Sequence, residues 1–168
     1  ETGGSLFDKL SQAGGPLILS TLEKLKAGTA VRTPQTDEDS TYAKMLTKSL
    51  GQIDWSMEAA AIERLIRGLN PWPSAYTFVH GKTLKIWDAD VLKESSDGAA
   101  PGQIIRTDPH SLIVAAGEAL LSIRELQLEG KNANGCGNLP ERLYHRKRRD
   151  PGKVASGSHT GPLFKERE

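Results

Sequence analysis

The sequence predicts a mainly β fold with α: a small β-barrel preceded by a helix, with two further helices at the amino terminus. Short segments with strand character follow one another from residue 75 onward, at intervals of about 8–12 residues and separated by glycine and proline turns. The three tryptophans all lie within residues 55–87, which indicates where the core is. Closing such a sheet protects strand edges that would otherwise be exposed.

The amino-terminal segment 1–28 has two helical stretches. Thr2 or Ser5 is expected to cap a first helix that ends at residues 14–15, a glycine pair. Pro16 then opens a second helix with apolar residues at helical spacing. Two short helices with one apolar face each cannot form a core alone, so we expect them to be the last helices of an upstream α/β domain.

Residues 29–50 are predicted to be a linker, because the stretch is polar and contains Pro34 and three acids. Within it, Lys44 and Lys48 are one helical turn apart. Two interpretations are open for this pair: a solvated face of the linker, or a contact with a phosphate backbone.

A helix is predicted over residues 59–69, with Ser56 as its N-cap and Glu58 favourably placed near its positive end. Pro71 biases the preceding residue out of the helix and so ends it. The apolar stripe comprises Ile62, Leu65, Ile66 and Leu69.

Five strands are predicted in the domain that spans residues 51–131. The first two form a hairpin that turns at Gly81-Lys82. The predicted ranges are 75–80, 83–89, 103–106, 111–115 and 120–128.

Composition excludes several classes of protein. The single cysteine rules out an internal disulfide, and no apolar run approaches the ~20 residues that a membrane helix needs. Residues 141–168 hold eight Lys/Arg against four Asp/Glu, so the net charge of +1 hides an acidic balance over the rest of the chain. The chain begins with Glu1 and has no signal-peptide pattern, so we expect it to be cut from a longer protein.

Four short motifs, taken together and in this order, resemble those of the methionyl-tRNA formyltransferases. They are Tyr42-Ala43 with Leu46-Thr47-Lys48, then Ile53-Asp54-Trp55-Ser56, then Ile66-Arg67 with Leu69-Asn70-Pro71-Trp72-Pro73, and lastly Lys85-Ile86-Trp87. The resemblance implies the C-terminal half of such an enzyme, folded as an OB-like barrel. It further implies a monomeric cytoplasmic parent that formylates the initiator tRNA with 10-formyltetrahydrofolate.

The resemblance places the catalytic Asn, His and Asp of that family before Glu1, so we expect this chain alone to be inactive and assign it no catalytic residue. Asp54, within its motif, is interpreted as structural. The expected tRNA contacts are basic side chains: Lys44, Lys48, Arg67, Lys82, Lys85 and Lys131. For the tryptophans, core packing is favoured over stacking on bases.

Two other functions stay open. The chain is alternatively the C-terminal domain of another formyl-folate transferase, acting on a sugar nucleotide, or a free-standing nucleic-acid-binding OB module. A metal site is not predicted, because Cys136, His145 and His159 lack ligand spacing.

The tail, residues 132–168, departs from the family and has the composition of a disordered linker. Codons that could encode residues 132–147, when read one nucleotide later, can encode an amphipathic C-terminal segment. Its apolar residues include Phe, Leu, Phe and Ile, in that order. We therefore interpret the tail as out of frame, the alternative being a natural disordered extension. A shifted frame would make the basic run Arg146–Arg149 accidental rather than a nucleic-acid motif.

If the tail has no packed core, its backbone amides should exchange with solvent rapidly. We expect hydrogen exchange over Cys136–Lys147 to be fast in the 168-residue chain, measured against the amides of residues 120–128 as the protected control. Strong protection across Cys136–Lys147 would contradict this interpretation of the tail.

Overall fold

The computed structural model describes residues 1–108 and 110–135. The predictions for Cys136, His145, His159 and the run Arg146–Arg149 lie outside these residues, as does most of the predicted tail. In chain order the helices are α1 (Gly3–Lys26) and α2 (Ala59–Gly68), with short 3-10 turns at Asp37–Asp39 and Lys48–Gly51. The strands are β1 (Ala75–Val79), β2 (Lys82–Ser95), β3 (Ile104–Asp108), β4 (Ser111–Ala115), β5 (Ala119–Leu128) and β6 (Asn134–Gly135).

Helix α1 is continuous, so the prediction of two amino-terminal helices is wrong. Thr2 caps it through a capping box with Ser5, as the sequence suggested, but Pro16 lies inside the helix. A glycine in a helix interior costs about 1 kcal/mol and does not forbid the helix. The glycine pair at 14–15 therefore weakens α1 without ending it.

The first turn of α1 docks on the segment that links α2 to β1. The N–H of Gly4 donates to the carbonyl oxygen of Asn70 over 2.9 Å. A β-carbon at Gly3 would overlap the carbonyl oxygen of Gly68, and one at Gly4 would lie 2.8 Å from Cδ of Pro71. Only residues without a side chain permit this approach.

Beyond its docked end, α1 buries none of its side chains. Its apolar residues are exposed: Leu6, Phe7, Leu10, Leu17, Ile18, Leu19, Leu22 and Leu25.

Helix α2 begins later than its predicted cap. The N–H and O–H of Ser56 both donate to Oδ1 of Asp54, over 2.9 and 2.6 Å, so Ser56 closes a turn instead of capping the helix. Glu58 occupies the N-cap position, without a side-chain cap. The predicted apolar stripe is confirmed by Ile62 and Ile66, which are fully buried.

All strand pairs are antiparallel, in the order β1-β2-β5-β4-β3, with β6 added to β5. The five predicted strands are confirmed in position, although β2 runs six residues past its predicted end. β6 lies within the predicted tail, residues 132–168, yet it pairs with β5, so these two residues belong to the sheet. Strand pairing uses backbone groups that every residue except proline carries, which is why composition did not reveal it.

The sheet is strongly curved. β2 pairs with β5 along its length through several register shifts, which bend a strand. Arg106 on β3 forms a two-pronged ion pair with Glu94 on β2, at 2.7 and 2.9 Å. In a flat sheet these strands would be three spacings, or roughly 14 Å, apart. The described residues thus form a curved, OB-like open sheet, with no pairing between β1 and β3.

The core lies between the concave side of this sheet and α2. Trp55 is 6% exposed there, and its Nε1–H donates to Oγ1 of Thr77 over 3.1 Å. Ile62 of α2 belongs to one buried cluster with side chains from β2, β4 and β5, which include Ile86, Val114 and Leu126. The alternation of buried and exposed residues along β1 and β2 follows from this one-sided burial.

We expect Gly3→Ala to detach the first turn of α1, because its β-carbon has no space beside Gly68. Loss of the Gly4–Asn70 hydrogen bond should accelerate hydrogen exchange of the Gly4 amide at least tenfold. Gly14→Ala is the matched control, since nothing lies within 4 Å of a β-carbon there. It should leave that amide protected and raise the helicity of α1. Equal exchange rates in the two variants would contradict the docking.

The carboxylate of Asp54 gives a second test. The hydrogen bond from the Ser56 hydroxyl, followed by that from the Ser56 N–H, lowers the pKa of Asp54. The stability that these hydrogen bonds add to the fold is therefore present above the pKa that Asp54 has in the unfolded chain. It is lost as pH falls through the pKa of Asp54 in the folded chain. Ser56→Ala should raise the pKa of Asp54 toward its ordinary value in an NMR titration, whereas Ser40→Ala should leave it unchanged. An unaltered titration in Ser56→Ala would exclude the turn as the cause.

Candidate nucleic-acid interface

The convex side of β1, β2 and β5 has aromatic and basic side chains. Because Leu84 and Ile86 point into the core, the alternate residues Lys85 and Trp87 point outward. Lys85 lies opposite Tyr76 on β1 and opposite Gln127 on β5. We call the surface formed by Tyr76, Lys85, Trp87 and Gln127 the outer face.

Trp87 is held in a fixed orientation on this face. Its indole Nε1–H donates to Oε1 of Gln127 over 3.2 Å, and Nε2 of Gln127 donates to the carbonyl oxygen of Lys131 over 2.8 Å. The backbone carbonyl of Trp87 accepts a hydrogen bond from Nδ2 of Asn70 over 3.0 Å. The ammonium of Lys85 lies 5.4 Å from the centroid of the indole, within range of a cation–π contact.

Another part of the convex side is covered. Ile113, Ala115 and Leu120 form a second buried cluster there, with Leu92 and Ala99 packed against it. The segment before β3 supplies the cover, since Gly102 and Gln103 exchange backbone hydrogen bonds with Ala115. The outer face, by contrast, retains partly exposed rings, including Tyr76 and its edge-to-face partner Phe78 at 5.6 Å.

The structure brings together two of the six predicted RNA contacts directly. Lys85 is part of the outer face, and Lys131 adjoins it through the hydrogen bond from Gln127. Lys82 begins β2 on the same side of the strand as Leu84, so it lies at the rim of the sheet and not beside Lys85.

Lys44 and Lys48 are both exposed in the segment before β1. Lys48 begins a 3-10 turn that ends at Gly51, where a β-carbon would lie 3.3 Å from Cδ1 of Tyr76. The segment bearing Lys48 therefore lies against the edge of the outer face.

Arg67 lies apart from the lysines on α2, and its guanidinium is already engaged. It donates to both carboxylate oxygens of Glu63, at 2.8 and 3.4 Å, and to the carbonyl oxygen of Glu1 at 3.2 Å. The hydrogen bond to Glu63 is the main cause of its raised pKa.

Two acidic groups near the outer face have partners. Asp88 accepts a two-pronged contact from Arg124 at 2.7 and 3.1 Å, and Arg124 also bonds Asp90. The carboxylate of Glu129 accepts the N–H of Thr83 over 3.0 Å. Glu125, two residues before Gln127 on β5, is a further exposed carboxylate near this face.

The three tryptophans lie in different environments. Core packing is confirmed for Trp55 but is wrong for Trp72, which is 58% exposed in the Pro-Trp-Pro corner. Trp87 is partly exposed and lies on the opposite side of the sheet from the core. Strand alternation would have indicated this, because Trp87 follows the buried Ile86. The roles of Tyr76 and Gln127 depend on strand register, for which the sequence has no local signal.

Among the described residues, no cluster of three His, Cys, Asp or Glu side chains has an arrangement suited to a metal. Within the same part of the chain, neither helix combines the length and apolar character needed to cross a bilayer.

Comparison with known proteins gives consistent results. A model of the family described as formyl transferase, C-terminal domain, matches residues 45–138. The chain is 50% identical over 143 residues to a methionyl-tRNA formyltransferase of Lachnospira eligens, covering 83% of this chain and 45% of that protein. It is 45% identical over 143 residues to one of Caldanaerobacter subterraneus, covering 82% and 46%. The chain therefore spans about half the length of the curated relatives it matches.

Among solved structures, HypX from Aquifex aeolicus is similar with a TM-score of 0.57, at 17% identity, over 90% of this chain and 26% of that one. HypX has also been solved in complex with tetrahydrofolic acid, with a TM-score of 0.52 to this chain. At this identity the likeness shows the shared fold alone. The family match extends over more than half of the chain and includes α2 and all six strands. The chain belongs to the formyl transferase C-terminal domain family.

Proposed function

We propose that this chain is the tRNA-contacting C-terminal part of a methionyl-tRNA formyltransferase. One observation carries the proposal: Lys85 and an oriented Trp87 share one sheet face, with the backbone of Lys131 tied beside it, in a chain 45–50% identical to such enzymes. The parent enzyme would formylate initiator Met-tRNA in translation initiation.

The role proposed for the domain is orientation of the tRNA through its phosphates. Such contacts fix position and register but do not read sequence. The overall charge of +1 gives no broad attraction, so binding would depend on local groups. Lys85 and Lys131 are the central candidates, and Lys82 lies at the rim.

Lys44 and Lys48 extend this surface in the proposal. Lys48 supports the extension, because its turn packs beside Tyr76. Arg67 is a weaker candidate, since a phosphate would have to compete with Glu63 for its guanidinium.

Formyl transfer and the use of 10-formyltetrahydrofolate are assigned to the parent enzyme and not to this chain. We propose a monomeric, cytoplasmic parent. The names of the similar curated proteins favour Met-tRNA over a sugar nucleotide as its substrate, and similarity to those longer enzymes favours a component of one over a free-standing module.

The phosphate contacts predict weak, salt-dependent tRNA binding with little preference for initiator over elongator tRNA. Lys85→Ala combined with Lys131→Ala should weaken binding and lower the slope of log affinity against log salt by about 2, because each contact releases about one counterion. Lys24→Ala with Lys93→Ala is the matched control, with two exposed lysines removed outside the outer face. Fluorescence anisotropy with labelled tRNA measures both.

The full chain is used throughout, so the basic tail contributes equally to every variant. Lys44→Ala with Lys48→Ala should also lower the slope, which tests the linker separately. If the Lys85 and Lys131 double variant binds tRNA as tightly as the control pair does, the outer face is not the contact surface.

A further inference from the structure

We propose that the outer face binds an unpaired nucleotide of the tRNA, with its base stacked on the indole of Trp87 and its phosphate held by Lys85 and Lys131. This inference rests on the proposed function and goes beyond it, because it assigns a base-stacking site in addition to phosphate contacts.

Part of the indole of Trp87 is accessible to a ligand. Trp87 is only partly buried, and the group above its ring is the ammonium of Lys85, 5.4 Å from the centroid. A lysine head group is strongly hydrated, so its position indicates the solvent side of the ring. An incoming base would take this position, and the flexible Lys85 side chain would move to the phosphate that accompanies the base.

The ring is oriented before any ligand arrives. Gln127 fixes the N–H edge of the indole and is itself tied to the carbonyl of Lys131, while Asn70 holds the backbone carbonyl of Trp87. A rigid aromatic platform loses little conformational entropy on binding. The same links keep the backbone of Lys131 beside the ring.

Neighbouring groups suit a nucleotide. Asp88 is paired with Arg124, and the carboxylate of Glu129 accepts the N–H of Thr83. Tyr76 lies diagonally across from Trp87 on the same face, within reach of an adjacent base.

The chemistry selects unpaired nucleotides over duplex. Bases inside a helix are stacked on one another and present only their edges in the grooves. A base must be splayed out before it can stack on an aromatic side chain. The loops and single-stranded end of a tRNA offer such bases, whereas its stems offer phosphates alone.

The test compares two RNA probes of equal length, an unstructured oligouridine and a fully paired duplex, with the full chain. Trp87→Leu should weaken binding of oligouridine about 5- to 150-fold, the range for one stacked base, and leave duplex binding unchanged. Trp87→Phe should recover most of the loss, because it keeps a ring. Trp72→Leu, which removes an exposed tryptophan elsewhere, is the control and should change neither affinity.

A second measurement needs no variant. Oligouridine carrying 5-iodouracil, cross-linked to the wild-type chain by light, should form an adduct at Trp87. Adducts at Trp72 or in the tail without one at Trp87 would overturn the stacking site, as would undiminished oligouridine binding in Trp87→Leu.

The two proposals fail in different ways. If tRNA binding needs Lys85 and Lys131 but is insensitive to Trp87→Leu, the stacking site is wrong and the phosphate contacts stand. If Trp87 binds oligouridine while the chain has no affinity for tRNA, the proposed function is wrong and the stacking site stands.

Discussion

Asn70 connects α1, α2 and β2, on which the other parts of the structure depend. Its carbonyl accepts the N–H of Gly4 in α1, and its side-chain amide donates to the carbonyl of Trp87 in β2. It also lies immediately after α2. One residue therefore links the amino-terminal helix, the core helix and the strand that carries the outer face. A substitution at Asn70 would remove the amide bond to Trp87 but keep the backbone carbonyl that accepts the N–H of Gly4.

Local patterns accounted for the positions of the β-strands but not for their extents. Strand alternation and glycine turns are short-range signals, so the β1–β2 hairpin and β4 were predicted within a residue or two. The length of β2 depends on pairing with β5, which lies tens of residues away. Ser56 failed as a cap because its N–H and O–H both donate to Asp54, two residues earlier, and the helix begins only at Ala59. In α1, tolerance of a glycine pair is a matter of total helix energy, which no single residue reveals.

The candidate site was partly accessible from sequence. Lys85 stood out because it is next to Trp87 in a motif shared with a known family. Its proximity to Lys131 required the register in which Leu84 faces Leu128. The engagement of Arg67 with Glu63, four residues earlier, was predictable from helix geometry. A sequence specifies the chemical groups, and long-range pairing decides which of them share a surface.

Because α1 is docked only at its first turn, a small rotation there is amplified at the far end of the helix. Its 24 residues span roughly 36 Å, with the anchoring contacts in the first turn. A rotation of about 5° at that anchor moves the far end by about 3 Å, given this length. Gly3 and Gly4 place no side chain between α1 and the segment on which it docks. The angle of the helix therefore depends on backbone contacts. Suppose that another domain packs on the exposed apolar residues of α1. The variation in its distance from Trp87 would then depend on the stiffness of this docking contact.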